Sequence, residues 1–130
     1  MKTRLSLLFI PILFLVTACT KSTVNPNQTI LTTISSSKWS TVDGGKTYAA
    51  FISTPEIDSY TNAYDAVLVY ASFDAGKNYE QVPEVYNGIA YSFTHKIGQV
   101  EIDAQSSTGA NTIPSPGTVD IKIVLVRSAL

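Results

Sequence analysis

Asn87-Gly88-Ile89-Ala90-Tyr91-Ser92-Phe93-Thr94-His95-Lys96-Ile97-Gly98-Gln99-Val100-Glu101-Ile102-Asp103-Ala104-Gln105 is the stretch that decides the fold. Asn87-Gly88 signals a two-residue hairpin, because a type I′ turn needs positive φ at both positions. After it, Ile89, Tyr91, Phe93, His95 and Ile97 share one side of an extended chain, and Ala90, Ser92, Thr94 and Lys96 share the other. Gly98 turns the chain, and Val100, Ile102 and Ala104 then alternate with Glu101, Asp103 and Gln105. A period of two puts one face of a strand in a core and the other in water. Two such strands in succession predict antiparallel sheet.

Working outward, the same punctuation recurs. Asp74-Ala75-Gly76-Lys77-Asn78 predicts a hairpin loop. Before it, Ala66–Phe73 is a strand apolar on both faces, which implies a central position or burial on both sides. After it, Tyr79–Tyr86 is predicted as one strand, with Pro83 marking an edge or a bulge. Thr118–Arg127 closes the pattern. The Ser106–Gly117 segment is a loop rich in Ser, Thr, Gly and Pro. Towards the N-terminus, Lys46–Ser53 predicts a strand and Asp43-Gly44-Gly45 a turn. Ile30, Thr32 and Ile34 alternate, and Trp39 follows a serine run. Thr54-Pro55-Glu56 would cap one helical segment or turn across 55–63. No internal repeat is evident. About seven short strands joined by such turns predict an all-β protein with a single antiparallel β-sandwich over residues 30–130. A small β-barrel is the alternative.

The first residues read differently. Lys2 and Arg4 precede the apolar run Leu5–Ala18, which ends in small residues before Cys19, the only cysteine. Charge, apolar run and small-residue exit occur in signal-peptide order. The run is shorter than the roughly twenty residues a membrane-spanning helix needs, and Pro11 interrupts it. Ala18-Cys19 resembles the end of a bacterial lipoprotein signal. That resemblance implies removal of residues 1–18, lipid on the Cys19 sulfur, and a membrane partner reached through that lipid. Residues 19–29 then form the lipidated cysteine and a polar tether. Thr20 stands where an inner-membrane retention signal has Asp, and no acidic residues follow Cys19 as in some surface-export signals. The resemblance therefore implies the outer membrane facing the periplasm, with the cell surface as the alternative. Asn27-Gln28-Thr29 fits a glycosylation pattern and is read as chance.

Composition bounds the rest. The chain has 130 residues and a formal charge of −1. Beyond residue 18, seven basic residues stand against ten acidic ones, none of the basic ones clustered. Nucleic-acid binding needs Lys and Arg gathered on one face, so that class is excluded. A single cysteine allows no disulfide within the chain, so packing must hold the domain.

Few residues suggest chemistry. His95 is the only histidine and lies on the apolar face of its strand, the place of a packed or rim residue. Asp58, Asp65, Asp74, Glu80 and Glu84 are the candidates for a carboxylate pair, which glycoside hydrolysis would need. Most adjoin turn residues, where such side chains bond the backbone. No glycine motif for phosphate and no alternating calcium ligands occur, so no cofactor and no metal is expected. Aromatics are the stronger lead, because exposed rings stack on sugars or anchor protein partners. Trp39 fits a core plug. Tyr70 and Tyr91 fit structural positions in strong strands, and Tyr48, Tyr60, Tyr64, Tyr79 and Tyr86 are open. The expectation is a non-enzymatic binding or envelope-structural module, with a glycan-binding accessory protein as the alternative and an enzyme third.

Trp39, Pro55-Glu56-Ile57, Ala66-Val67-Leu68-Val69-Tyr70, Val82-Pro83, Tyr91-Ser92-Phe93, Val100-Glu101-Ile102 and the strand Ile121–Val126 together resemble small Bacteroidetes lipoproteins. A similar β domain ends some collagen-like chains of those bacteria. The resemblance covers roughly residues 38–127. It implies a β fold and an envelope location, and it carries no activity or catalytic residue.

Overall fold

The computed structural model describes residues 26–109 and 111–129. The leader over 1–18, Cys19 and the tether up to residue 25 lie outside the described residues. Eight strands follow in order: β1 (Gln28–Ile34), β2 (Thr47–Thr54), β3 (Ala66–Ser72), β4 (Glu80–Val82), β5 (Glu84–Tyr86), β6 (Ile89–Lys96), β7 (Gly98–Ser106) and β8 (Val119–Val126). They form two four-stranded antiparallel sheets, ordered β1-β8-β3-β4 and β2-β7-β6-β5. The molecule is a sandwich, and the separate sheets rule out the barrel alternative.

The alternation seen in the sequence is the alternation of burial. Val100, Ile102 and Ala104 are buried on β7, and Ile121, Ile123 and Leu125 on β8. On β3, Val67, Val69 and Ala71 enter the core while Leu68 and Tyr70 are half-buried on the outer face. β3 is flanked by β8 and β4, so the central position holds, and burial on both faces does not. Asn87 and Gly88 have φ of 49° and 75°, the conformation their turn requires.

Several boundaries differ from expectation. Tyr79–Tyr86 is two strands in different sheets. β4 pairs with β3 and β5 pairs with β6, with Pro83 between them. A proline has no N–H to give to a ladder, so pairing stops there and the chain changes sheet. β1 starts at Gln28, two residues inside the stretch read as tether. Gln28 and Thr29 pair with Leu125 and Val124, and backbone pairing does not depend on side-chain polarity. Ile97 is 61% exposed because Ile97-Gly98 is the β6–β7 turn, not part of the inward row. The helix, α1, spans Ser59–Tyr64 and is capped by Asp58, whose carboxylate accepts from Thr61 N at 2.8 Å. Thr54 is instead the last residue of β2, with its hydroxyl on Ile52 O.

The two ends of the sandwich are unlike. One carries α1, the start of β1 and the end of β8. Arg127 ties these together: Nη1 donates to Thr61 Oγ1 at 2.6 Å and Asp65 Oδ2 at 2.7 Å, and Nη2 to Gln28 Oε1 at 3.3 Å. The other end gathers the loops 35–46, 73–79, 87–88 and the described parts, 107–109 and 111–118, of the connection between β7 and β8. β1 runs from the first end to the second, roughly 20 Å for seven residues.

Candidate functional site

Two loops at the second end are copies of one another. Thr41-Val42-Asp43-Gly44-Gly45-Lys46-Thr47-Tyr48 and Ser72-Phe73-Asp74-Ala75-Gly76-Lys77-Asn78-Tyr79 share hydroxyl, Asp, Gly, Lys and Tyr positions. Their hydrogen bonds match as well. Thr41 Oγ1 donates to Asp43 Oδ1 at 3.0 Å, and Gly45 N donates back to Thr41 Oγ1 at 2.9 Å. Ser72 Oγ donates to Asp74 Oδ1 at 2.8 Å, and Gly76 N donates to Ser72 Oγ at 2.9 Å. Thr47 N and Asn78 N close the two loops on Asp43 and Asp74. The flanking pairs also agree, Ser40 opposite Ala49 and Ala71 opposite Glu80. This is an internal repeat at a spacing of thirty-one residues, contrary to the expectation of none. Aligning the two octapeptides would have found it.

Each copy builds one side of a groove. Gly45 O accepts from Ile113 N at 2.8 Å and so holds the start of the Pro114–Val119 segment. Trp39 Nε1 donates to Gly117 O at 3.0 Å and pins its far part. The second copy supplies Phe73. Between that segment and Phe73, Tyr86 and Tyr91 opens a groove of about 270 Å³. Asn87, Ser115 and Thr118 add neutral polar groups, and among the described residues no lining residue is charged. Sites for drug-sized ligands run to roughly 300–1,000 Å³, so this one seats a single ring-sized group.

The rings form a chain from core to surface. Trp39 is buried and meets Tyr91 edge-on at 6.4 Å between centroids. Tyr91 meets Phe73 at 4.9 Å, and Phe73 stacks on Tyr86 at 4.2 Å with planes 4° apart. Tyr86, the outermost, is 38% exposed. Of the candidate aromatics, Trp39 is thus a core plug that also positions the groove, and Tyr86 is an exposed ring at its rim. Tyr48 packs against the core. Tyr79 and Tyr70 flank Lys122, whose ammonium sits 4.5 Å and 4.7 Å from their ring centroids. Tyr60 and Tyr64 form an exposed pair on α1, at the other end.

The titratable candidates do not converge. His95 lies at the α1 end, its Nδ1 donating to Asn62 Oδ1 at 2.9 Å. The hollow beside it, about 40 Å³, has room for a few waters. Asp58 caps α1. Asp65 is enclosed by Arg127 and by Ser128 N at 2.9 Å, and its carboxyl is lowered chiefly by that backbone bond. Asp74 is held down at about 2 by Asn78. Glu80 and Glu84 alone come together, at the β4–β5 corner beside Tyr91. Burial, and then the bond and charge of Glu80, push Glu84 up to about 7. Burial and the charge of Glu84 push the Tyr91 hydroxyl up in turn. Among the described residues no three His, Cys, Asp or Glu gather to hold a metal ion.

Comparison with known proteins finds no matching family model, no similar curated protein and no similar solved structure.

Proposed function

We propose that this chain is a lipid-anchored protein of the bacterial cell envelope, held by Cys19 and using its β-sandwich as a non-catalytic binding module. The order of charge, apolar run, small residues and Cys19 supports the anchor. One observation carries the binding role: the ring-lined groove opens at the end of the sandwich opposite Gln28, where the chain enters β1. A tether attached at Gln28 presents that groove away from the membrane. The outer membrane facing the periplasm is the favoured location, and the resemblance to small Bacteroidetes lipoproteins agrees with it.

The chemistry of the groove favours a glycan as the partner. A neutral lining with a half-exposed Tyr86, backed by Phe73, offers a flat face to a sugar ring, and Asn87, Ser115 and Thr118 offer hydrogen bonds to its hydroxyls. A protein or envelope-structural partner seated on the same rings is the other reading. The enzymatic reading has less support, because His95 and the groove lie at opposite ends.

Two measurements test this. Intact mass of the membrane-extracted protein should show a chain beginning at an acylated Cys19, and Cys19→Ala should leave the membrane fraction. Envelope glycans immobilised as an array should retain the wild type and release Tyr86→Ala. A native protein that keeps residues 1–18 would overturn the anchor, and equal retention of Tyr86→Ala would overturn the groove.

A further inference from the structure

Two glutamates face the same gap from different sheets. Glu80 stands opposite Ala71 on β3, and Glu84 stands opposite Tyr91 on β6. Ala71 and Tyr91 are core residues, so both glutamate side chains leave their strands on the core side. Only Gln81, Val82 and Pro83 separate them in the chain. Glu80 is exposed, whereas Glu84 is half-buried and its Oε1 is shut off from solvent, with no donor among the described residues to meet it. An ionised carboxylate in that place would lack both water and a partner. Two carboxylates cannot bond each other, because both only accept; a carboxyl and a carboxylate can.

We infer that Glu80 and Glu84 share one proton, and that this proton latches the β4–β5 corner and with it the Tyr86 wall of the groove. The enclosed Glu84 keeps the proton, since burial penalises the charged form. The position of Glu84 near 7 agrees with this. Tyr91, opposite Glu84 on β6, faces it and is not a cation. Above neutrality the proton leaves to solvent and two negative charges face each other beside the core. Glu84 then turns outward, and β5, three residues long, carries Tyr86 away from Phe73. The sign follows from linkage. Glu84 rises from 4.5 in the open chain to about 7 when folded. The folded corner therefore binds the extra proton, is steadiest below the unfolded value, and loosens as pH rises through the folded one. The regulatory meaning rests on the groove being the binding site; the shared proton does not.

The test needs neither ligand nor membrane. In full-length protein with carboxyl-labelled glutamate, one of the four glutamate signals should titrate near neutrality. Glu80→Gln should lower that midpoint by at least a tenfold change in proton affinity. Glu84→Gln keeps a donor in place of the proton. It should hold amide exchange at Val85 and Tyr86 flat between pH 6 and 8, after correction for intrinsic rates, where the wild type speeds up severalfold. A Glu84 that titrates with the ordinary glutamates, or one whose midpoint ignores Glu80→Gln, would overturn the latch while leaving glycan retention untouched.

Discussion

Phe73 and Tyr86 lie face to face, 4.2 Å between ring centroids, although one follows β3 in the first sheet and the other ends β5 in the second. The contact joins the two sheets at the rim, where the core has run out. It is the last link of the ring chain that starts at the buried Trp39. A ring held on one side by another ring loses little further freedom when a ligand covers its open side, which lowers the ordering cost of binding.

Tyr86 and Phe73 should therefore separate by mutation. Tyr86→Ala removes a half-exposed ring and one stacked pair, and should cost about 1 kcal/mol of stability while abolishing the glycan retention proposed for the groove. Phe73→Ala also uncovers Tyr91 and should cost more, about 2 kcal/mol, by urea denaturation. Equal stability loss in both variants would show that Phe73 does not link the rim to the core.

Trp39 should respond in two steps. Trp39→Phe loses the indole donor to Gly117 O and should cost about 1 kcal/mol, concentrated as faster amide exchange across 113–119. Trp39→Ala empties a core site and should cost about 3–5 kcal/mol.

The repeated loops supply an internal control on backbone conformation. Ala75 has φ of 60°, and Gly44, its counterpart, has φ of 74°. An L side chain is strained there and glycine is not. Ala75→Gly should stabilise the fold, and Gly44→Ala should destabilise it, each by about 1 kcal/mol in thermal unfolding. Nothing lies within 4 Å of a Cβ at Gly44, so crowding cannot account for a loss.

What was legible in the sequence was whatever depends on neighbours along the chain. The inward rows of β6 and β7 follow from alternation, and the Asn87-Gly88 turn follows from φ. The sheet change at Pro83 was half legible. Proline forbade a continuous ladder, but only the partners, Val69 for Val82 and Tyr91 for Glu84, decide that its two sides join different sheets. The groove was not legible, because its walls come from residues 73, 86–91 and 114–119, joined by bonds such as Gly45 O to Ile113 N across 68 positions. Tyr86 among the open tyrosines, and Glu84 among five carboxylates, could be ranked only once their neighbours were known.

Acid should attack the repeated loops together. Asp43 is lowered mainly by Thr47 N, and Asp74 by Asn78, the latter to about 2. A carboxyl lower in the folded state than in the open chain gives stability that is present above about pH 4. That stability drains as pH falls towards 2. The wild type should lose stability over that interval, and Asp43→Ala with Asp74→Ala should flatten the loss. The readout is the urea midpoint followed from pH 5 to pH 2.

The α1 end should fail independently of the groove. Among the described residues Arg127 is the only cation on the enclosed Asp65 carboxylate, and it also holds Thr61 on α1 and Gln28 at the start of β1. Removing either partner leaves an enclosed charge without its counterpart, while removing both leaves none. Asp65→Asn and Arg127→Met should each lower the melting temperature, and the double variant should lose less than the two losses combined. In Arg127→Met, amide exchange should rise over Gln28–Leu31, where β1 loses its side-chain tie, and stay unchanged at Tyr86. If losses in the single variants simply add, the pair is not coupled. If exchange rises at Tyr86 as well, the two ends of the sandwich do not move as separate units.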